Sequence, residues 1–491
     1  MQWNDKVQWV LDSLSFLHPE LVLSTGVLLL FFSSFIRRPS HAIFRWLSSL
    51  ALLVALALVI AEWPQRSLVL MVNMLRWDQF ASSIKVIILI GGLLSVWMGR
   101  SSSRPIYTAE YFMLILSVCL GSTLLAMSMN FLMMILSLEL ISISSYVLAS
   151  FRLDRHAAES SLKYFLFGAA LTGVAIFGIS LLFGITGTLV FSSQSFAEGL
   201  FNHPGPLTVT AGLMILAALL FKMAVVPFHW WAPDIYEASP TPVVALFSVV
   251  PKVAGMAAIV RLSVALHLFG QSYASWQWIL CALAIATIII GNLAALGQQH
   301  VRRLMAYSSV SQAGFLLAGI ATFAPQGIQQ CIFYAVALLV ANYLVFGMLD
   351  HYEERYGMQL IRDYSGRGQQ NVLAGILLTF GLVSLVGLPP AGGFMAKFLV
   401  FATIFNEYQA GGKGILLILL LVGLLGTVLS LFFYMKIPYA LYFQAVRHEG
   451  TGKHRPMTYG ILGIILASLL LLLFAYPSLL TLWLNRLNFA F

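Results

Sequence analysis

Residues 221–233 read FKMAVVPFHWWAP, an apolar stretch that holds a lysine and is interrupted by Pro227. Together with the residues before it, the stretch forms an apolar segment over 208–231, and about 20 such residues suffice to cross a bilayer. Proline removes a helical N–H and clashes with the preceding turn. In lipid, unpaired backbone is tolerated only where protein or a water-filled cavity covers it. We therefore predict a broken transmembrane helix with Lys222 beside the break.

A second stretch repeats this pattern. Residues 386–398 read VGLPPAGGFMAKF, in which Pro389 and Pro390 precede Lys397. One kinked helix alone is common in membrane proteins and is explained by packing. Two proline-broken segments at matching positions, each with a nearby lysine, favour an ion pathway.

The composition of the whole chain agrees with a membrane environment. Hydrophobic residues make up 60% of the 491 residues and charged residues only 9%, whereas soluble domains carry about 25% charged residues. The net charge of +9 does not indicate nucleic-acid binding, because the basic residues lie in short loops and form no stripe. No glycine-rich phosphate loop is present. The expected surroundings are therefore the lipid bilayer, without nucleic acid.

The hydropathy pattern predicts an all-α polytopic membrane protein. The stretch 64–80 is short and interrupted by charges, and we interpret it as a loop or a re-entrant piece. The first 18 residues are mixed polar and apolar, which is not typical of a cleavable signal peptide. Fourteen segments are long and apolar enough to span, roughly 20–36, 42–62, 81–99, 109–128, 130–150, 160–185, 208–231, 240–266, 275–297, 303–322, 327–349, 371–405, 414–444 and 457–484.

The distribution of basic residues predicts the orientation. The positive-inside rule places the Lys- and Arg-rich loops in the cytoplasm. The loops after odd-numbered spans hold fifteen: Arg37, Arg38, Arg45, Arg100, Arg104, Arg152, Arg155, Arg302, Arg303, Arg355, Arg362, Arg367, Arg447, Lys453 and Arg455. The opposite side holds five: Lys6, Arg66, Arg76, Lys413 and Arg486. Both termini are therefore expected on the outer side.

A weak internal repeat relates residues 161–189 to 330–357, centred on Phe177-Gly178 and Phe346-Gly347. At this offset span 6 falls on span 11, so that spans 4–8 and 9–13 form two units. Five spans per unit force the second unit to be inverted in the membrane, as in many transporters. The predicted division is a three-helix segment over 1–106, repeats over 107–270 and 271–445, and a final helix over 446–491, with spans 7 and 12 broken.

Buried charges within these spans are the candidate functional residues. A charge at the bilayer centre costs about 2.5–3.5 kcal/mol even on insertion-based scales. Glu139 is the one acid near the middle of a span, and Lys222 or Lys163 is its expected partner. A Glu–Lys pair that opens and closes switches the lysine between holding and releasing a proton; a static salt bridge is the alternative. Lys252 and Lys397 have no intramembrane acid left over, which favours hydrated proton sites.

Two other titratable residues each have two possible roles. His229 follows Pro227 and either relays protons or bonds a carbonyl that the break leaves unpaired. Lys163 either belongs to a proton path or extends toward the membrane surface, as we also expect for Lys85 and Arg261 near span ends. We expect no metal site, because neither the histidines nor the three cysteines have ligand spacing.

Six stretches resemble one known family: LSLELISISSYVL around Glu139, ESSLKYF around Lys163, KMAVVPFHWWAPDIYEASPTPV from Lys222, PKVAG around Lys252, RLMAYSSVSQAGF from Arg303, and GLPPAGGFMAKF around Lys397. They are similar to the subunit N family of the NADH–quinone oxidoreductase, respiratory complex I. That family belongs to the antiporter-like membrane subunits, which Mrp-type cation/proton antiporters and membrane-bound hydrogenases share. The resemblance covers about 100–440.

The resemblance implies fourteen helices with two inverted five-helix bundles. It further implies a hydrated axis formed by Glu139, Lys222, Lys252 and Lys397. Some relatives have a histidine where this chain has Gln312, so span 10 is not assigned proton transfer. The implied activity is proton translocation coupled to quinone reduction elsewhere in the complex, without redox chemistry in this chain.

The resemblance also implies the surroundings of the chain. NADH, FMN, iron–sulfur clusters and quinone are expected in partner subunits, and no cofactor is expected here. The expected partners are antiporter-like and small membrane subunits of complex I in the bacterial inner membrane, with both termini periplasmic. A subunit of an Mrp-type antiporter or hydrogenase is one alternative, and a non-conducting membrane scaffold is another.

Overall fold

The structure, a computed structural model, describes residues 3–35, 41–99, 108–203, 205–269, 273–411, 413–445 and 460–487. The chain divides into two compact units. The first comprises Met1–Met223, Val250–Gln277 and Leu487–Phe491, and the second comprises Ala224–Val249 and Trp278–Arg486. The four-part division by sequence range stays a prediction.

The regular elements of the first half, within the described residues, are helices and one β-hairpin. Its elements are α1 (Trp3–Leu14), α2 (His18–Ser33), α3 (His41–Ala61), β1 (Leu68–Leu70), β2 (Leu75–Trp77), α4 (Gln79–Met98), α5 (Ala109–Met127), α6 (Phe131–Ala149), α7 (Arg155–Thr186), α8 (Gln194–Asn202) and α9 (Pro206–Met223). Within the first unit α7 packs on α9, α5 on α6, and α2 on α5.

The regular elements of the second half, within the described residues, are all helices. Its elements are α10 (Trp231–Ala238), α11 (Thr241–Phe269), α12 (Tyr273–Leu296), α13 (Val301–Ile320), α14 (Pro325–Tyr356), a 3-10 turn (Ile361–Tyr364), α15 (Arg367–Gln370), α16 (Val372–Val386), α17 (Gly392–Gln409), α18 (Gly414–Tyr434), α19 (Lys436–Phe443), α20 (Gly460–Ala475) and α21 (Ser478–Asn485). In the second unit α14 packs on α16, α17 and α20.

Short polar residues fix where several helices begin. Asp78 accepts a hydrogen bond from the Ala81 amide at 2.8 Å and starts α4. Asp154 does the same for α7 through the Ala157 amide, at 2.7 Å. These caps satisfy amide groups that the first turn of a helix leaves without partners. The sequence thereby defines helix starts that hydropathy alone leaves uncertain.

The interval 64–80 contains an antiparallel hairpin. Strands β1 and β2 pair Leu68 with Trp77 and Leu70 with Leu75. A hairpin pairs its own backbone groups, which explains how a short, charge-interrupted stretch becomes ordered without a re-entrant helix. The interval thus agrees with the loop interpretation, and its position relative to the membrane stays a prediction.

Ten helices of the described chain are long and apolar enough to cross a membrane, or up to twelve if two bent pairs each count as one span. Helices also occupy the remaining two predicted segments, but these helices are too short or too polar to meet the criteria for a membrane span. Helix α13 carries arginines, serines and a glutamine, and α16 has only 15 residues before a break. The structure is therefore a helical, multi-span membrane protein, and the count of fourteen spans stays a prediction.

Candidate functional site

The first predicted break is present where Pro227 requires it. Helix α9 ends at Met223, and regular helix resumes with α10 at Trp231. Ala224 has a φ of 57°, a left-handed conformation that ends a right-handed helix. Lys222 therefore occupies the last turn of α9 and is only 3% exposed. The partial negative charge of the helix C-terminus favours a cation at this position.

Aromatic rings surround the Lys222 ammonium in the first unit. Its Nζ lies 5.3 Å from the ring centre of Tyr146, 5.4 Å from that of Tyr164 and 5.9 Å from that of Phe221. Such cation–π contacts reach about 2 kcal/mol when desolvated. Among the residues that the structure describes, Nζ has no hydrogen-bond partner. The rings thus stabilise the charge while leaving the N–H groups available to water.

Glu139 lies on α6 and interacts electrostatically with Lys222. The residue as a whole is partly exposed, but its Oε1 is buried and has no hydrogen-bond partner in the described part of the chain. The pair is therefore coupled by charge without a direct hydrogen bond between Oε1 and Nζ. A bridging water would satisfy both atoms at little free-energy cost. The structure thus brings together the acid and one of the two lysines considered as its partner.

Lys252 lies on α11 directly after Pro251 and is 1% exposed. One turn later α11 crosses α9 at Gly255. A Cβ at Gly255 would lie 3.0 Å from the Met223 Cγ and 3.7 Å from the Lys222 Cβ. Because residues three positions apart share a helix face, this crossing brings Lys252 close to the helix end that carries Lys222.

The second predicted break belongs to the second unit, and Lys397 lies on α17 just after it. Helix α16 ends at Val386, and α17 begins at Gly392. The Lys397 Nζ donates hydrogen bonds to the carbonyl oxygens of Leu385, at 3.2 Å, and of Val386, at 2.8 Å. It also lies 4.6 Å from the ring centre of Phe315. The last carbonyls of a helix have no intrahelical partner, so this lysine caps the open end of α16.

Gln312 joins Lys397 in a polar network that the sequence did not assign. Its Nε2 donates to the Leu385 carbonyl, which Lys397 also uses, at 3.0 Å, and to the Tyr434 hydroxyl at 3.2 Å. The Tyr334 hydroxyl donates to the Gln312 Oε1. Gln312, Tyr334, Ser384 and Lys397 line a small cavity, which has room for about one water molecule.

The other two candidates lie in different surroundings. His229 is 4% exposed in the interval between α9 and α10, and its Nδ1 has no hydrogen-bond partner among the described residues. Lys163 pairs with Glu159 at 2.8 Å, and half of its side-chain surface is exposed. The structure therefore does not place Lys163 in the aromatic cluster around Lys222.

Two ion pairs correct the expectation that Lys85 and Arg261 extend to the membrane surface. The Lys85 Nζ lies 2.7 Å from the Glu20 Oε1, with both side chains at most 5% exposed. Arg261 donates to both carboxylate oxygens of Asp78, at 2.9 and 3.0 Å, and to the Ala126 carbonyl at 2.7 Å. Both cations are buried against carboxylates, which sequence spacing did not indicate.

A further ionic cluster lies at the amino end of α13 in the second unit. Arg302 donates to the Ser239 carbonyl at 2.6 Å and pairs with Glu353 at 2.5 Å. Arg303 contacts Glu237 at 2.9 Å, and His300 lies 3.8 Å from the same glutamate. Burial lowers the pKa of His300, while the charge of Glu237 acts in the opposite direction. This cluster anchors α13 to α10 and α14.

Metal ligation has no support within the described ranges. No group of three His, Cys, Asp or Glu residues in them is arranged to hold a metal ion. Cys119, Cys281 and Cys331 are free and buried. The charged residues of the site are thus lysines and one glutamate, which suit protons better than metal ions.

Fold and site together define a class of protein. Helical membrane proteins with interrupted helices and buried ionisable groups at the interruptions are characteristic of ion-translocating carriers. An intramembrane charge of this kind marks an ion or proton pathway by default. The chain is therefore a polytopic membrane protein of the ion-translocating class.

Comparisons with known proteins narrow this class to one family. Residues 128–437 match the family described as NADH:quinone oxidoreductase/Mrp antiporter, TM. A NADH-quinone oxidoreductase subunit N from Pelagibacter ubique is 34% identical over 97% of this chain and 100% of its own. The corresponding protein of an Anaeromyxobacter species is also 34% identical, over 89% of this chain and 88% of its own.

Solved structures agree with this assignment. A chain of respiratory complex I from Thermus thermophilus with bound aureothin has a TM-score of 0.78 and 28% identity, covering 94% of this chain and 98% of that one. A chain of the Mrp complex from a Dietzia species has a TM-score of 0.82 at 21% identity, covering 96% of both, and shows the shared fold. The chain belongs to the antiporter-like membrane subunits, and within them to the NADH-quinone oxidoreductase subunit N family.

Proposed function

We propose that this chain translocates protons as a membrane subunit of a bacterial-type NADH–quinone oxidoreductase. In this proposal Glu139, Lys222, Lys252 and Lys397 form the proton axis, with His229 as a relay. Quinone reduction takes place elsewhere in the complex. NADH, FMN, iron–sulfur clusters and quinone bind to partner subunits, so this chain contributes no redox chemistry.

One observation carries the proposal: buried lysines lie at both helix breaks. Lys222 occupies the last turn before one break, and Lys397 bonds the carbonyls at the other. A static scaffold has no need of broken helices and ammonium groups at matching positions, since both are costly in lipid. A proton pathway needs both, because broken helices expose polar backbone and lysines hold exchangeable protons.

Charge coupling explains how such a pathway works. A carboxylate that approaches a buried ammonium stabilises its charged form, and withdrawal of the carboxylate lets the proton leave. Glu139 and Lys222 are coupled by charge without a direct hydrogen bond. A small change in their separation therefore changes whether Lys222 holds its proton.

The finer architecture belongs to the same proposal. We infer fourteen spans, which adds α13 and the broken pair α16–α17 to the twelve that hydropathy supports. Two inverted repeats over 107–270 and 271–445 follow a three-helix segment over 1–106 and precede a last helix over 446–491. Both termini face the periplasm, and neighbouring membrane subunits of the complex cover part of the exposed apolar surface.

Replacement of single lysines tests the proposal. We expect Lys222→Met and Lys397→Met each to lower NADH-driven proton uptake about ten-fold, equivalent to about 1.4 kcal/mol in a proton-transfer barrier. Uptake is measured in inverted membrane vesicles and divided by the amount of assembled complex on native gels. Lys163→Met is the matched control, because this lysine is half exposed and pairs within its own helix.

The outcomes separate the alternatives. If both variant complexes assemble and pump as the wild type does, the relay is wrong. If neither variant complex assembles, the scaffold alternative is favoured. Uptake driven by a sodium gradient, with no dependence on NADH, would instead indicate an Mrp-type antiporter subunit.

A further inference from the structure

Tyr146 carries a buried hydroxyl that has no hydrogen-bond partner among the described residues. The residue is 8% exposed. Ser142, one turn earlier on α6, donates its own hydroxyl to the Leu138 carbonyl at 2.6 Å and offers the Tyr146 hydroxyl only a poorly aligned acceptor. Buried hydroxyl groups are normally paired with protein or ordered water. An unpaired one next to a buried charge therefore indicates a place where water binds.

Gly168 on α7 leaves the space that this hydroxyl occupies. A Cβ at Gly168 would lie 1.7 Å from the Tyr146 Oη and 2.7 Å from its Cζ. No side chain larger than hydrogen fits there unless the tyrosine moves, because protein interiors are close-packed. Gly173, on the same helix, has nothing within 4 Å of its corresponding position. Gly168 thus fixes where the tyrosine ring lies.

The tyrosine belongs to the same cluster as Glu139 and Lys222. Glu139 precedes it by seven residues on α6, which places both on one helix face. The Lys222 Nζ lies 5.3 Å from the centre of its ring. Three buried polar atoms here lack partners in the described part of the chain: the Tyr146 Oη, the Lys222 Nζ and the Glu139 Oε1. Water that bridges them would satisfy all three.

We propose that Tyr146 is a positioning residue for proton transfer, held by Gly168, whose hydroxyl anchors water between Glu139 and Lys222. This inference rests on the proposed function and adds two residues to it. The tyrosine itself neither gains nor loses a proton. Its ring stabilises the ammonium, and its hydroxyl orders the water through which the proton moves.

Two small substitutions in the intact complex test this role. Tyr146→Phe removes the hydroxyl and keeps the ring, whereas Gly168→Ala displaces both. We expect each to lower the ratio of the proton-uptake rate to the amount of assembled complex about five-fold, the effect of losing one net hydrogen bond. Gly173→Ala is the matched control and should leave this ratio unchanged. A purely structural role would change the amount of assembled complex and leave the ratio intact.

A rescue variant covers the case in which Gly168→Ala prevents assembly. Tyr146→Leu lacks the two atoms that lie closest to the new methyl group and leaves only the Phe221 Cε1, at 3.2 Å. The double variant should therefore assemble as well as Tyr146→Leu alone. Failure of the double variant to assemble where Tyr146→Leu assembles would contradict the packing of Tyr146 against Gly168. An assembled Tyr146→Phe complex with the wild-type ratio would overturn the role of the hydroxyl.

Lys222→Met in the same assay separates this inference from the proposed function. If Lys222→Met keeps the wild-type ratio, the proton axis fails and the role of Tyr146 fails with it. If Lys222→Met lowers the ratio and Tyr146→Phe does not, the inference about the tyrosine alone is wrong.

Discussion

The pair of Arg261 and Asp78 shows how single buried charges stabilise the first unit. Removing one member of a buried, hydrogen-bonded ion pair leaves the other charge uncompensated and costs about 3–5 kcal/mol. We therefore expect Arg261→Met to lower the thermal stability of the detergent-solubilised protein strongly. Asp78→Asn should also destabilise it while keeping the cap on α4, because an asparagine oxygen can still accept from the Ala81 amide.

Lys163→Met is the control for this prediction. Its ion pair with Glu159 is exposed on both sides, and exposed pairs contribute little to stability. Thermal unfolding, followed by light scattering or tryptophan fluorescence, should be unchanged in this variant. Equal losses of thermal stability in Arg261→Met and Lys163→Met would show that burial of the Arg261–Asp78 pair does not increase its contribution to stability.

At the scale of single residues, the sequence was a better guide to which charged side chains are buried than to which residues they contact. Lys222, Lys252 and Lys397 stand out because they interrupt long apolar segments. The partner of Arg261 was not predictable, since Asp78 is 183 residues away in the chain and no local pattern connects them. Gln312 was not assigned proton transfer. Its hydrogen bond to the Leu385 carbonyl, which Lys397 also uses, appears only once α13 and α16 are packed together.

At the scale of one element, the break between α16 and α17 predicts an effect of Gly387. This residue ends α16 with a φ of 87°, and a Cβ there would lie 2.8 Å from the Lys397 Cδ. Gly387→Ala should therefore both strain the backbone, by about 1–2 kcal/mol, and displace Lys397. We expect a loss of proton uptake per assembled complex in inverted vesicles, beyond any loss of stability.

Gly357 at the end of α14 provides the comparison. It also has a left-handed backbone, with a φ of 70°, but nothing lies within 4 Å of its Cβ position. Gly357→Ala should reduce stability by a similar amount and leave proton uptake per assembled complex unaltered. If Gly387→Ala and Gly357→Ala both lose proton uptake, the loss is caused by backbone strain and not by displacement of Lys397.

Helix breaks were predictable at this scale because proline acts on the backbone of its own chain. Pro227, Pro389 and Pro390 each lie in a non-helical interval of the structure. The hairpin of β1 and β2 was not predicted, because three-residue strands give too short a pattern of alternation. Helix α13 and the pair α16–α17 do not meet the length and hydropathy criteria for a span, because polar residues or a break interrupt them, so their place as spans stays a prediction.

For the whole molecule, the fold class was accessible from the sequence because the low charge content and the long apolar segments admit only a lipid environment. The family was recognised separately, from the resemblance of six stretches of sequence. Sidedness depends on a different signal, the fifteen basic residues on one side against five on the other. Several of these, among them Arg37, Arg100 and Arg455, lie outside the residues that the structure describes. The orientation therefore stays a prediction that chemical labelling can test.

The native cysteines should not react in this labelling experiment, because Cys119, Cys281 and Cys331 are all buried. We expect a membrane-impermeant maleimide to label the Phe491→Cys variant in intact spheroplasts, since basic loops remain in the cytoplasm and leave the C-terminus outside. The Thr451→Cys variant, in a basic loop beside Lys453, should react only after the membrane is opened or inverted. The reversed pattern would place both termini inside and contradict the charge-based orientation. Labelling of both variants in intact spheroplasts would mean that the chain crosses the membrane an even number of times, or not at all, between residues 451 and 491, and would remove the last predicted span.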